Sequence, residues 1–418
     1  MSGLSPWRAS RLDLPPLFLA HWGRPAPASS LPSSAMNAPY ALPRLPSQVY
    51  QYRPLGSQYV EVRILKLHAG CRGTPITATI THVALRDSSL NYQALSYVWG
   101  DKGDLSGTIL IDGLPHPRRL QRNLELALRQ IRDTQADTAL WIDAICINQD
   151  DYDEKGKQVA LMGEIYTRAR SVLSWVGPEQ DGSDTAMELM ADGERFLSLA
   201  RNRQLSSPDI SAVLALLYRA YWTRVWIVQE VYFARSLTIK CGTKSIPADI
   251  FQYCVGVVTF QLNTQFQDTE TIRDKSADNP ASAHIRLFGI QTLRAWLDRC
   301  VQQGFKATDP RDYIYALAGV SRDGRYGEII PNYRGTVREA LLQAAPLVLH
   351  GPTPAYYQET PSDHFLEHPV FRYAEMMGIE VDNELVSDLY ACARSPPRTQ
   401  HSYAGGLRNM SGPGFWAR

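Results

Sequence analysis

Long apolar runs are missing from this 418-residue chain, and so is any excess of one charge. No run approaches the roughly 20 apolar residues that a helix needs to cross a bilayer, so no membrane span is expected. Forty-three basic and forty-two acidic side chains leave a formal net charge of +1. That balance gives no support for a nucleic-acid or anionic-membrane partner. Cysteine is scarce: Cys71, Cys146, Cys241, Cys254, Cys300 and Cys392. None lies in a C-x-x-C pair or at zinc-ligand spacing from a histidine, so neither a disulfide framework nor a zinc site is expected. A reducing, cytoplasmic setting fits this usage. The glycine fingerprints G-x-G-x-x-G and G-x-x-x-x-G-K-[ST] are absent, so neither a Rossmann cofactor nor a P-loop nucleotide is signalled. No ankyrin-like or WD40-like period is present either.

The first 47 residues are set apart by composition. Residues 1–60 hold five arginines, no lysine and one acid, Asp13, among many prolines and serines. An Arg- and Ser-rich, acid-poor leader is similar to a mitochondrial transit peptide. The prolines break any long amphipathic helix, which favours a disordered tail, or sequence upstream of a start at Met36.

From residue 59 the chain alternates apolar and polar residues in YVEVRILKL and PITATITHVAL, as two paired strands would. QALSYVW (93–99), TILID (108–112), ALWID (139–143), SVLSWVG (171–177) and SLTIKCG (236–242) read as further short strands. Between them, 118–132 and 154–170 carry helical periodicity. One more helical pattern lies within 178–207, and a helix opened by Ser207-Pro208 follows. Strand and helix in alternation predict parallel strands with right-handed crossovers, an open α/β sheet. Strands 93–99, 139–143, 171–176 and 236–241 are expected to form it. Past residue 245 the pattern is mostly helical, over 284–300, 311–319 and 336–349, and it fades after Gly351-Pro352. The expected divisions are a tail at 1–47, an α/β domain at 48–245, a helical extension at 246–350 and a weakly ordered segment at 351–418.

YWTRVWIVQEV (221–231) places one acid, Glu230, in an aromatic and apolar run. If the run is a single helix, Trp222, Trp226 and Glu230 line one face. A carboxylate there is either a desolvated group fit for proton chemistry or a core residue paired with Arg224 or another arginine. Asp143 closes a buried strand at its carboxyl end, where open α/β sheets bind ligands. Trp99-Gly100-Asp101 closes another; Gly100 would let backbone approach a phosphate or ribose, and Asp101 could bond a hydroxyl. Helix capping and turn formation explain the acids of NQDDYD (148–153), and the run lacks the spacing of a calcium loop. Cys146 has no histidine between His116 and His284 to activate it, which disfavours a cysteine hydrolase.

Three blocks, YQALSYVWGD (92–101), LWIDAICINQDDYDEKGKQVALMGEIYTRARSVLSWVG (140–177) and YWTRVWIVQEVYFA (221–234), resemble the signature blocks of the fungal heterokaryon incompatibility (HET) domain. TDPRDYIYALAGV (308–320) and IIPNYRGTVREAL (329–341) resemble the segment that follows it in many members. The resemblance implies self/non-self recognition after hyphal fusion, ending in cell death. The same order of strands, acidic loops and a Trp/Glu helix more distantly resembles the TIR domain. That second likeness implies a flavodoxin/TIR-like open parallel sheet flanked by helices, followed by a mostly helical C-terminal extension. It also implies a catalytic role for Glu230 in NAD cleavage, with Gly100, Asp101, Asp143 and Trp226 around the substrate. NAD is thus a candidate substrate, and no resident cofactor is signalled. The alternative is a non-enzymatic, self-associating module, with any recognition partner supplied in trans.

Overall fold

The computed structural model describes residues 50–56, 60–101, 103–265, 292–324, 329–350 and 365–394. The tail at 1–47, the first part of the helix expected over 284–300 and the last residues from 395 lie outside them.

Near-continuous apolar strands can be buried on both faces only where helices cover both, which is the condition of a parallel sheet. β3 (Gln93–Tyr97) and β7 (Ser171–Gly177) meet it, and β6 (Thr138–Trp141) and β8 (Leu237–Cys241) flank them with partial burial. β3 pairs in parallel with β6 and with β7, and β7 with β8. The parallel core expected from the sequence is therefore present. Taken in chain order its strands lie 2-1-3-4, the order of one class of doubly wound sheet.

The whole sheet is mixed, with the two paired strands expected from residue 59 onward added beside the parallel core. The order is β5 (Arg118–Leu120), β4 (Gly107–Ile111), β2 (Thr77–Ala84), β1 (Glu61–Leu67), β6, β3, β7, β8 and β9 (Lys244–Pro247). The hairpin of β1 and β2 is antiparallel, and β1 also runs antiparallel to β6. β4 lies parallel to β2, and β5 antiparallel to β4. At the other edge β9 turns back on β8. Strands joined by a short connection return antiparallel, which accounts for the β1–β2, β4–β5 and β8–β9 pairs.

Several local expectations shift for the same kind of reason. The helix read over 118–132 starts later, as α1 (Arg122–Ile131), because Arg118–Leu120 is drawn into the sheet edge. The strand at 139–143 ends at Trp141, and Asp143 begins a one-turn helix, α2 (Asp143–Cys146). α3 (Tyr152–Arg168) is capped by Asp151, which accepts from the amides of Asp153 and Glu154. The polar interval holds two helices, α4 (Ser183–Ala191) and α5 (Gly193–Arg201), divided at Asp192, whose side chain caps the second. α6 (Ser207–Leu217) is capped one residue earlier than expected, by Ser206 in a capping box with Asp209.

The run 221–231 is not one helix. A 3-10 turn, Ala220–Thr223, is followed by an extended Arg224 and then by α7 (Ile227–Tyr232). Beyond it come α8 (Ala248–Gln265), α9 (Leu293–Gln303), α10 (Asp312–Ala318) and α11 (Val337–His350). α12 (Val370–Met376) and α13 (Asn383–Arg394) stand where the sequence periodicity fades. α13 still buries Leu385 and Leu389 completely. One apolar core joins the sheet to this helical region, holding Leu95, Trp141 and Val172 together with Trp296, Ile314 and Leu341. Residues Gln48–Arg418 cluster as one compact unit. Among the described residues no helix is long and apolar enough to cross a membrane.

Candidate acid site at the carboxyl ends of the parallel strands

In an open α/β sheet the ligand crevice lies where strand order reverses, outside the carboxyl ends of the two strands on either side. Here those strands are β3 and β7. Each carries a serine among apolar neighbours, and the register pairs them, Ser96 with Ser174. Both are fully buried, so both must find partners. The Tyr221 phenol oxygen lies 2.7 Å from each hydroxyl. Ser96 also donates to the Glu230 carboxylate in a short contact. A chain of buried polar groups therefore runs Ser174–Tyr221–Ser96–Glu230 across the crossover point.

Glu230 is 1% exposed. Arg224 closes over it, with Nη1 3.2 Å from Oε2 and Nη2 3.4 Å from Oε1. The sequence left open whether this acid is a free carboxylate or an arginine-paired one; in the structure it is paired with Arg224. The pairing depends on the extended backbone at Arg224, which separates the 3-10 turn from α7. That extended residue forms a parallel bridge with Lys306. The Lys306 amide donates to Thr223 O at 2.6 Å, and the Val225 amide donates to Lys306 O at 3.0 Å.

Asp143 lies close enough to both groups for their charges to act on it. Burial raises its carboxyl to about 6; the Arg224 charge opposes the rise and that of Glu230 adds to it. Its Oδ2 accepts from the Trp99 indole at 2.8 Å and its Oδ1 from the Ala144 amide at 2.7 Å. Burial alone would lower the Arg224 guanidinium, but Glu230 and Asp143 more than offset it and hold it above its ordinary value. The result is one cation beside two acids, Glu230 buried and Asp143 partly buried, fixed from β3 and the residues just after it (Ser96 and Trp99), α2 and α7.

The other residues picked out in the sequence are placed differently. Gly100 has φ +84° and turns the chain sharply out of β3. Asp101 is exposed and accepts from the Gly103 amide at 3.0 Å within its own loop. Trp226 and Glu230 keep their backbone relation, since the Glu230 amide donates to Trp226 O at 3.3 Å. The Trp226 indole, however, lies within reach of the Asp312 carboxyl of α10 and helps to offset the rise that burial gives it. Trp222 leaves the expected shared face, and stacks on Phe251 with ring centroids 5.5 Å apart. Cys146 is fully buried, and burial pushes its thiol up to about 12, which removes it as a nucleophile. A cavity of about 270 Å³ opens between α3 and α10, with Gln229 on its wall instead of Glu230.

Sequence reasoning missed Ser96, Ser174 and Tyr221. Their signal was present: a serine inside an otherwise apolar buried strand, once in QALSYVW and once in SVLSWVG. Asp312 was missed as well, having been read only as part of a helix start. Among the described residues no group of three or more His, Cys, Asp or Glu side chains is gathered as a metal-ligand set.

Residues 92–230 match the sequence model of the family described as "Heterokaryon incompatibility protein (HET)". The chain is also similar to "Heterokaryon incompatibility protein 6, OR allele" of Neurospora crassa, at 27% identity over 349 residues. That similarity covers 68% of this chain and 51% of the relative, so the chain spans about half the length of the relative it matches. No solved structure matches.

Proposed function

We propose, from the premise that residues 92–230 form a heterokaryon incompatibility domain, that this chain acts in fungal self/non-self recognition and induced cell death. The observation that carries the reading is the extent of the match. It begins just before β3 and ends at Glu230, and so encloses Ser96, Asp143, Ser174, Tyr221 and Arg224. The matched stretch and the buried acid site are the same part of the molecule. In this reading residues 48–245 are the domain, 246–350 its helical extension and 351–418 a terminal segment. The protein works in the cytoplasm, through self-association and a protein partner supplied in trans.

Two chemistries fit the role. In the first, Glu230 stabilises the oxocarbenium-like ribose as nicotinamide leaves NAD and water adds at the same carbon. Asp143, Gly100 and Asp101 border the substrate, and Trp226 flanks α7. The convergence of Asp143 and Glu230 at the strand ends supports this. It requires Arg224 to release Glu230, because both carboxylate oxygens are occupied and the group is 1% exposed. In the second, the domain is a non-enzymatic module whose assembly recruits an effector. The closed state of Glu230 favours this second chemistry, since a fixed ion pair needs no substrate access.

The experiment is purified full-length chain, concentrated to promote assembly, incubated with NAD while released nicotinamide is measured. The same chain is expressed in hyphae and viability is scored. Nicotinamide release that disappears in folded Glu230→Gln supports the enzyme. Loss of viability with no NAD consumed leaves the module. Unchanged viability under strong expression overturns the death-signalling reading.

A further inference from the structure

The segment that carries Arg224 is held from both sides by the helical extension. On one side Lys306, between α9 and α10, bridges the backbone at Thr223 and Val225. On the other the Trp226 indole lies within reach of the Asp312 carboxylate, which is 7% exposed and accepts from the Tyr333 hydroxyl at 2.7 Å. Tyr333 is itself pinned: the Lys155 ammonium of α3 lies 4.0 Å from its ring centroid and the Arg311 guanidinium 5.2 Å. Arg311 in turn donates to the carbonyls of Tyr333 and Gly335 at 2.7 and 2.5 Å. Thr223 to Trp226 are thus held by groups far along the chain as well as by their own neighbours. The one side chain among them that reaches the acid site is Arg224.

We propose that the helical extension is a latch: Lys306 and Asp312 fix Thr223–Trp226 so that Arg224 stays on Glu230 and the acid site stays closed. A shift of the extension that frees the Lys306 bridge or the Trp226–Asp312 contact lets Arg224 leave Glu230. Locally the Arg224 amide is held by a 3.3 Å bond to Tyr221 O, and the Val225 and Trp226 carbonyls accept from α7, so the extension adds to these bonds the pairing that keeps residue 224 extended. The proposal rests on Glu230 being the working group of the site, but the latch itself is a conformational coupling and can be read without any activity.

The test is hydrogen exchange on the full chain, comparing wild type with Asp312→Leu and with Trp226→Phe. The first removes every acceptor at 312 and the second the indole donor, each at close to the original size. Loss of a hydrogen bond to a charged acceptor predicts about ten- to a hundredfold faster exchange in peptides covering Thr223–Tyr232. Peptides covering β3 and β7 should be unchanged. Exchange over Thr223–Tyr232 that stays at the wild-type rate in both folded variants overturns the latch. So does a rise that is equal in β3 and β7, because the contact would then be general core packing. If the local rise is seen while hyphal viability is the same as with wild type, the latch stands and Glu230 loses its place as the working group.

Discussion

Arg224 reaches both oxygens of Glu230, at 3.2 and 3.4 Å, from a residue that belongs to neither of the helical turns around it. A buried ion pair of this kind is weak evidence of net stability, yet breaking it from one side is costly because a charge is left uncompensated.

The two ways of breaking it should differ. With Glu230→Gln, Arg224 still has Asp143 close by, and the amide can still bond to Ser96. With Arg224→Gln, Glu230 loses the cation that covers both its oxygens. Urea unfolding should show Arg224→Gln losing about 3–5 kcal/mol and Glu230→Gln less. The double variant should recover part of the larger loss. Equal, additive losses would mean the pair is not coupled.

The pH dependence has a definite sign. Burial raises Asp143 and Asp312 from 3.8 to about 6. Between about pH 4 and 6 the folded chain therefore holds protons that the unfolded chain has released. These two groups contribute most below about pH 4, and their contribution is lost as pH rises through 6. At about 1.4 kcal/mol per pH unit the change approaches about 3 kcal/mol for each acid. Measured between pH 4 and 7, Asp143→Asn and Asp312→Asn should each gain stability relative to wild type by up to that amount. A wild-type-minus-variant difference that stays flat with pH would show that the carboxyl groups are not held neutral.

Gly100 offers a cleaner separation of turn from ligand contact. At φ +84° a Cβ meets nothing nearer than Asn123 Cβ at 3.9 Å, so Gly100→Ala carries backbone strain and no clash. The expected cost is about 1–2 kcal/mol of stability. If stability falls by that amount and viability loss in hyphae is unchanged, Gly100 serves the turn. A much larger effect on viability than on folding would place it against a ligand.

The sequence made the parallel core legible because β3, β6, β7 and β8 are short apolar runs separated by helical patterns, and local pattern is enough to decide that. Both partners of the central ion pair, Glu230 and Arg224, were also within reach, as they lie in one short run. What stayed hidden is whatever depends on distant chain. The break at Arg224 is made by Lys306, so the i, i+4 spacing of Trp222, Trp226 and Glu230 read as one helix until tertiary pairing overrode it. The Trp226 indole was taken for a wall of the site, but it lies within reach of Asp312, which is beyond the segment. Asp143 was read correctly as standing near the strand end, though one turn of helix rather than the strand itself presents it.

The most direct test of the account uses hyphae expressing the full chain as wild type or Glu230→Gln at equal folded abundance, with viability and cellular NAD measured together. The account predicts that wild type lowers viability and that Glu230→Gln is impaired. If Glu230 acts on NAD, the loss in rate is a factor of ~10² to 10³. Equal killing by the two proteins would contradict the claim that the Glu230 site is the seat of the activity.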